Sequence, residues 1–278
     1  MTEHPTDYEL IIRPKYGLLD LNWQELKEYR ELLFFLALRE IKIRYKQTLM
    51  GASWALLQPL FTMIIFTLIF GRLAQIPSEG IPYPIFSYSG LLIWTYFSNA
   101  LSQSSNSLVG NGNLLSKVYM PRIFIPTASC LAGIIDYGIA MSILAVMMVY
   151  YRLVPNITIL LLPVIVVLTF MLASGMGYWL SSICVKYRDV KFILPFFIQM
   201  LMFVSPVIYP TDIVGEKLQW LLYLNPLTGL IDAHRACILG HTPVDFVSIS
   251  ISTVLTIVIF LSGILYLKHT EKDFADLI

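Results

Sequence analysis

Residues 111–126, NGNLLSKVYMPRIFIP, form a short polar and basic island between two apolar segments, 85–108 upstream and 127–151 downstream. Each flank is long enough for a membrane-crossing helix, which takes about 20 residues. Within the island Leu114, Leu115, Val118 and Tyr119 alternate with Asn113, Ser116 and Lys117 at helix-like spacing, so the stretch reads as a short amphipathic helix. Pro121 stops it, because proline lacks the N–H and its ring clashes with the preceding turn. Arg122 follows, and Pro126 opens the next span, where a missing N–H costs little. A short helix held between two spans is a rigid lever on which a partner protein can push. An ordinary connecting loop fits the same composition.

Outward from the island the chain is apolar. Hydrophobic residues make up 57% and charged residues 13%, with a mean hydropathy of +0.71, against about 25% charged in a soluble domain. The class is an all-α integral membrane protein, since a helix pairs its own backbone groups in lipid. A net charge of +1 gives no nucleic-acid signature. Cys130, Cys184 and Cys237 sit in or beside apolar segments, with neither a disulfide framework nor metal-ligand spacing. The polar, acidic start MTEHPTDYEL does not read as a signal peptide.

Residues 1–51 read as a cytoplasmic arm ending in an interface helix. Asn22 with Glu25 makes a capping box. The helix carries Trp23, Leu26, Tyr29, Leu33 and Leu36 on one face and Lys27, Glu28, Glu31 and Arg39 on the other. Its apolar run, LLFFLAL, is too short to cross and predicts a helix lying in the interface plane. Arg39, Lys42, Arg44 and Lys46 follow; such residues attract anionic headgroups at about 1 kcal/mol each, and a plain topogenic anchor explains them equally.

Residues 52–278 divide into six predicted spans: 52–70, 85–108, 127–151, 157–184, 192–208 and 246–267. The second half of span two carries Ser98, Asn99, Ser102, Gln103, Ser104, Ser105, Asn106 and Ser107. These groups cannot face lipid unpaired, so they line an aqueous vestibule or the helix protrudes from the bilayer there. Ala173, Gly177 and Ser181 on span four form a small-residue stripe for close helix packing. Fifteen of the 19 lysines and arginines fall on one side of this scheme and four, Arg72, Arg152, Lys217 and Arg235, on the other. The basic side is cytoplasmic, and both termini with it.

Between spans five and six lie two apolar patches, LQWLLYL and LTGLIDAHRACIL, separated by Asn225-Pro226. Each is too short to cross, and they read as a re-entrant helix pair (218–239) dipping in from outside, either an outer gate or a cap over the bundle. Asp136 is the one ionisable group inside a span; its expected partner is Tyr137 or a polar group of span two. No phosphate-binding loop G-x-x-x-x-G-K-[ST], H-E-x-x-H or nucleophile elbow occurs, which leaves no catalytic residues to name. Trp54, Phe61, Phe66 and Phe70 on span one and Phe196, Phe197 and Phe203 on span five offer faces over which a sugar chain can slide. Ordinary membrane cores use the same residues.

Several runs together are recognisable: RYKQTLMGASWALLQPLFTMIIFTLIFGRLA, PYPIFSYSGLLIWTYFSNA, SLVGNGNLLSKVYMPRIFIP, VKYRDVKFILPFFIQMLMFVSPVIYP and YLNPLTGLIDAHR. In that order, from about Arg39 to Arg235, the chain resembles the permease subunit of ABC-2-type polysaccharide exporters. The likeness is greatest to lipopolysaccharide O-antigen permeases, with capsule and teichoic acid permeases as near relatives. The resemblance implies a homodimer of six-helix subunits in a bacterial inner membrane, with two copies of a separate ATPase binding ATP and Mg on the cytoplasmic face. It implies a polyprenyl-diphosphate-linked glycan as cargo. The island, with residues 113–122 as a coupling helix, then docks on the ATPase through Leu114, Leu115, Lys117, Val118, Tyr119 and Arg122, with Tyr187, Arg188 and Asp189 as a smaller contact. The aromatics of spans one and five line the glycan path on the dimer axis. Arg39, Lys42, Arg44 and Lys46 meet the diphosphate at its entry, and Trp220, Tyr223, Asn225 and Pro226 belong to the outer gate. The competing class is a membrane enzyme acting on a lipid-linked sugar. Its candidate acids, Asp212 with Glu216 and, on the other side, Asp189, have no partner at useful spacing.

Overall fold

A computed structural model describes residues 27–46, 53–115, 117–187 and 189–271, with backbone alone for 216–218. The capping box at Asn22 and Glu25, the segment 1–20, Arg188 and Lys272 lie outside the described residues. Every regular element among the described residues is helical. In chain order they are α1 (Arg30–Lys46), α2 (Ser53–Phe66) continued by a π-helical stretch (Thr67–Leu73), α3 (Tyr83–Gly110), the single turn α4 (Gly112–Leu115), α5 (Phe124–Tyr151), a 3-10 turn (Ile157–Leu161) leading into α6 (Leu162–Lys186), α7 (Val190–Val204), α8 (Glu216–Tyr223), α9 (Pro226–Leu239) and α10 (Phe246–Thr270).

Prolines set several of these limits. Pro84 sits in the first turn of α3, where its missing N–H is no loss. Ser205 precedes Pro206 and takes extended backbone angles, as the residue before a proline must when the ring blocks the α region. That ends α7 at Val204, short of the predicted 208. Its 15 residues rise about 22 Å, less than the roughly 30 Å of a hydrocarbon core. Among the described residues four helices are long and apolar enough to cross a membrane: Ser53–Leu73, α5, Ile157–Lys186 and α10. α3 has the length, 28 residues, but its serine- and asparagine-rich half dilutes its apolar character.

α3 is the axis of the fold. Ile85, Phe86, Ile93, Phe97 and Leu101 on it are wholly buried, and α5 and α6 pack along its length. The stripe Ala173, Gly177 and Ser181 faces inward, and a Cβ on Gly177 would run into the Ser104 side chain of α3. A second glycine of α6 serves the other side: a Cβ on Gly175 would lie 2.6 Å from Phe260 Cα on α10. The Gly175→Ala variant therefore has to push the α6 and α10 backbones apart, at the roughly 1–3 kcal/mol typical of overpacking. A lowered melting temperature of the detergent-solubilised protein is the expected readout; an unchanged one means that α6 and α10 are not packed at this distance.

Two apolar clusters make the core, a small one at one end and a large one filling the rest of the bundle. At one end, here called the loop end, Leu36 and Ala37 of α1 meet Leu108, Met120, Phe124, Val185 and Leu267. At the far end Ile81, Tyr83, Leu144 and Ile165 meet the whole length of α9. The two patches predicted as one hairpin differ in kind. α9 is buried at nearly every position and packs on α3, α6 and α10, whereas α8 exposes Trp220, Leu221 and Leu224. Asn225 caps α9 by accepting from the Leu227 N–H, with Pro226 at the first helical position.

Candidate functional site

The serine- and asparagine-rich half of α3 divides into two faces. Ser104, Ser105 and Ser107 are buried, and the last two donate to carbonyls of their own helix, Leu101 at 2.6 Å and Ser104 at 2.7 Å. Asn99, Ser102, Gln103 and Asn106 line two cavities that share Gln103, and Ser107 borders the second as well. The deeper, about 560 Å³, is walled by α1, α2, α3 and α5; the other, about 360 Å³, lies between α1 and the end of α3. Together they make a polar furrow along α3.

α1 forms one wall because it packs lengthwise on α5. Its Leu36 and Ala37 seat in the loop-end cluster, and two arginines then reach inward. Arg39 hydrogen-bonds to the Asn111 side chain and pairs with Glu40 at 2.9 Å. Arg44 forms an ion pair with Asp136 of α5, and the Tyr45 hydroxyl donates to the same carboxylate. Asp136 thus takes its partners from α1, not from Tyr137 or span two; Tyr137 instead bonds His234 at 2.8 Å. Burial pulls the Arg44 guanidinium below its ordinary value and pushes the Tyr45 phenol up. The basic group anticipated as one cluster is split: Lys42 and Lys46 are exposed, while Arg39 and Arg44 are turned into the furrow.

The island is shorter as a helix than its spacing predicts. α4 runs over Gly112–Leu115, and residues 117–121 are turn, bend and irregular chain. Farther on, Pro121 holds Met120 out of the α region, and the Met120 side chain is buried in the loop-end cluster. The four apolar residues separate. Leu114 and Leu115 pack inward on that cluster, while Val118 is 43% and Tyr119 77% exposed. Lys117 is exposed beside them. Arg122 is pinned at the base by the Glu271 carboxylate, at 3.6 Å, and carbonyl at the end of α10. Exposed Tyr187 and Asp189 follow the end of α6, whose Val185 lies in the same cluster, so both predicted contact loops share one end of the molecule.

The aromatic set also divides. Trp54 and Phe61 are more than half exposed, and Trp54 lines the deeper cavity. Phe66 is buried and meets Phe70 edge to face at 5.5 Å between centroids. Phe196, Phe197 and Phe203 are exposed on α7, whose one buried residue is Leu194. At the far end Trp220 is exposed, and Tyr223 donates to Asp245 at 3.3 Å.

Arg235 is the residue that sequence reasoning misplaced. Read as a charge of the re-entrant pair on the outer side, it lies in the helix expected there but is 2% exposed. It donates to the Pro206 carbonyl at 2.9 Å, the Val207 carbonyl at 3.4 Å and Asp232 at 3.3 Å, and it lies 3.8 Å from the centre of the Phe86 ring. The sequence signal was the i,i+3 pair Asp232 and Arg235 within an apolar run.

Residues 31–239 match the family described as ABC-2 type transporter. The chain is 26% identical over 256 residues to the O-antigen export system permease protein RfbA of Myxococcus xanthus, covering 91% of this chain and 97% of that one. It is 24% identical over 251 residues to a Klebsiella pneumoniae protein of the same description, covering 89% and 95%. It is likewise 24% identical over 241 residues to the polysialic acid transport protein KpsM of Escherichia coli, covering 85% and 92%.

Proposed function

The chain belongs to the ABC-2 type transporter family, and from that premise we propose that it is the membrane permease of a polysaccharide exporter driven by a separate ATPase. The observation that supports this most directly is the loop end. One exposed tip, Lys117 to Tyr119, stands on α4, with Leu114 and Leu115 half-buried and Met120 buried beneath it, and Arg122 ties its base to the end of α10. A force on this tip reaches α3, α5 and α10 together. The ATPase is the partner that applies it, binding ATP and Mg on its own chain; Tyr187 and Asp189 make the second contact.

The cargo is a glycan carried on a polyprenyl diphosphate. O-antigen is favoured because the relatives at 26% and 24% identity over about nine-tenths of the chain carry that description. A capsular polymer is the second reading, supported by the likeness to the polysialic acid transport protein. In this scheme six segments cross the inner membrane, the termini and the tip are cytoplasmic, and two copies face each other. Exposed Phe61 of α2 and the exposed aromatics of α7 line the path between the copies. Lys42 and Lys46 offer charge to the diphosphate at entry. The outer gate is assigned to α8, with Trp220 and Tyr223, since α9 belongs to the core.

The test is the pair of substitutions Val118→Asp and Tyr119→Asp made together. Both positions are exposed, so the subunit is expected to fold and insert at wild-type yield. Co-purification of the ATPase should be lost and surface glycan should fall to the level of a deletion strain. Retention of the ATPase together with normal export shows that the tip is only a loop.

A further inference from the structure

We propose that the deeper cavity between α1, α2, α3 and α5 is a saccharide subsite, which holds a single sugar unit of the cargo against Trp54 and the amides of Asn99 and Gln103. This rests on the reading of the chain as a polysaccharide permease. At about 560 Å³ the cavity falls within the range of small-molecule sites, roughly 300–1,000 Å³. Its chemistry is mixed in the way a sugar ring needs. Trp54 is 57% exposed and supplies a broad face. Tyr96 and Tyr137 supply further ring surface, their centroids 5.9 Å apart. Their hydroxyls are engaged away from the cavity, with the Cys130 carbonyl at 3.5 Å and His234 at 2.8 Å, so they present carbon to it.

The polar side is as telling. The side-chain amides of Gln58, Asn99 and Gln103 line the cavity, and none of them hydrogen-bonds to a protein group among the described residues. Each amide offers donors and an acceptor, and polar groups on membrane helices persist where they line a cavity. A hydroxyl-rich ring can bind all three. The charges argue for a neutral ligand: Arg44 and Asp136 are already paired, so the cavity has no spare cation for a phosphate, and the carboxylate repels one. A lipid tail is disfavoured by the same amides. The neighbouring cavity, which shares Gln103, continues the polar lining past Ser102 and Asn106 toward the loop end. The sugar unit therefore has a route along α3.

The experiment uses the permease purified with its ATPase in lipid nanodiscs. Oligosaccharides are cleaved from the surface polysaccharide of the source strain and titrated by isothermal calorimetry. Saturable binding is expected, weakened at least tenfold by Asn99→Ala with Gln103→Ala and unaffected by inorganic diphosphate. Neither side chain hydrogen-bonds to a protein group among the described residues, and melting temperature checks that the double variant folds. Absence of saturable binding, equal binding by the double variant, or competition by inorganic diphosphate each overturns the subsite. Surface glycan in a permease-deleted strain reports export separately. If the wild-type chain restores glycan but the purified complex binds no oligosaccharide, the subsite is wrong and the export reading stands. If the wild-type chain restores no glycan, the export reading falls and takes the subsite with it.

Discussion

Substituting methionine for Arg235 is expected to leave little folded protein and no surface glycan. The side chain is 2% exposed, and its guanidinium satisfies the Pro206 and Val207 carbonyls and Asp232 at once. Those carbonyls lie where α7 has been stopped by Pro206, so no helix pairs them. Methionine fills the volume but leaves two carbonyls unmatched and Asp232 with the Thr211 hydroxyl alone. Breaking a buried pair in this way costs about 3–5 kcal/mol, a large share of the roughly 5–15 kcal/mol that holds a typical domain. Lysine is not a remedy, because a point donor cannot span the positions that the planar fork reaches. Gly90→Ala tests the same site from the other side: its Cβ would fall 2.8 Å from Arg235 Nη2 and 3.1 Å from the Val207 carbonyl. Size-exclusion profiles of the two variants and wild type decide the matter. A monodisperse Arg235→Met protein at wild-type yield would mean that the break after α7 is held by other groups.

Arg235 also shows where the sequence stops being legible. The helices were readable because apolar runs and prolines are local signals, and each predicted span has a helix over most of its length. The family was readable because five motifs occur in order across most of the chain. α9 was not. Its 14 residues are too few to cross, and Asp232, His234 and Arg235 look like surface groups until their partners are known. Those partners are Thr211, Tyr137 and Pro206, two of them supplied by turns outside any α-helix and one by the distant α5. The island failed more narrowly. Its amphipathic spacing is real, but the spacing cannot reveal that Met120 is buried in the loop-end cluster, with Leu114 and Leu115 packed against that cluster and Val118 and Tyr119 left exposed.

Arg44 poses the same difficulty at the other wall of the furrow, where its place beside span one made it one of four entry cations. Arg44→Gln is expected to destabilise the protein by about 2–3 kcal/mol, at and below the lower end of the range for a broken buried pair. The discount follows from exposure: the two side chains keep 23% and 18% of their surface. The loss has a structural route, because Asp136 would keep only the Tyr45 hydroxyl and α1 would lose its deepest attachment to α5. Asp136→Asn should cost a similar amount by stranding the guanidinium. Arg44→Gln combined with Asp136→Asn should recover much of the loss, since two neutral amides can hydrogen-bond where two charges did; contacting residues commonly show coupling of about 0.5–3 kcal/mol. Lys42→Gln with Lys46→Gln is the complementary pair. Both side chains are exposed, so stability should hold while export falls, if they draw an anionic cargo to the membrane. Melting temperature and surface glycan, measured for wild type and all four variants, separate the two roles. Should the Arg44–Asp136 double variant melt as low as either single, the ion pair is not what fastens α1, and the furrow wall depends on Leu36 and Ala37 alone.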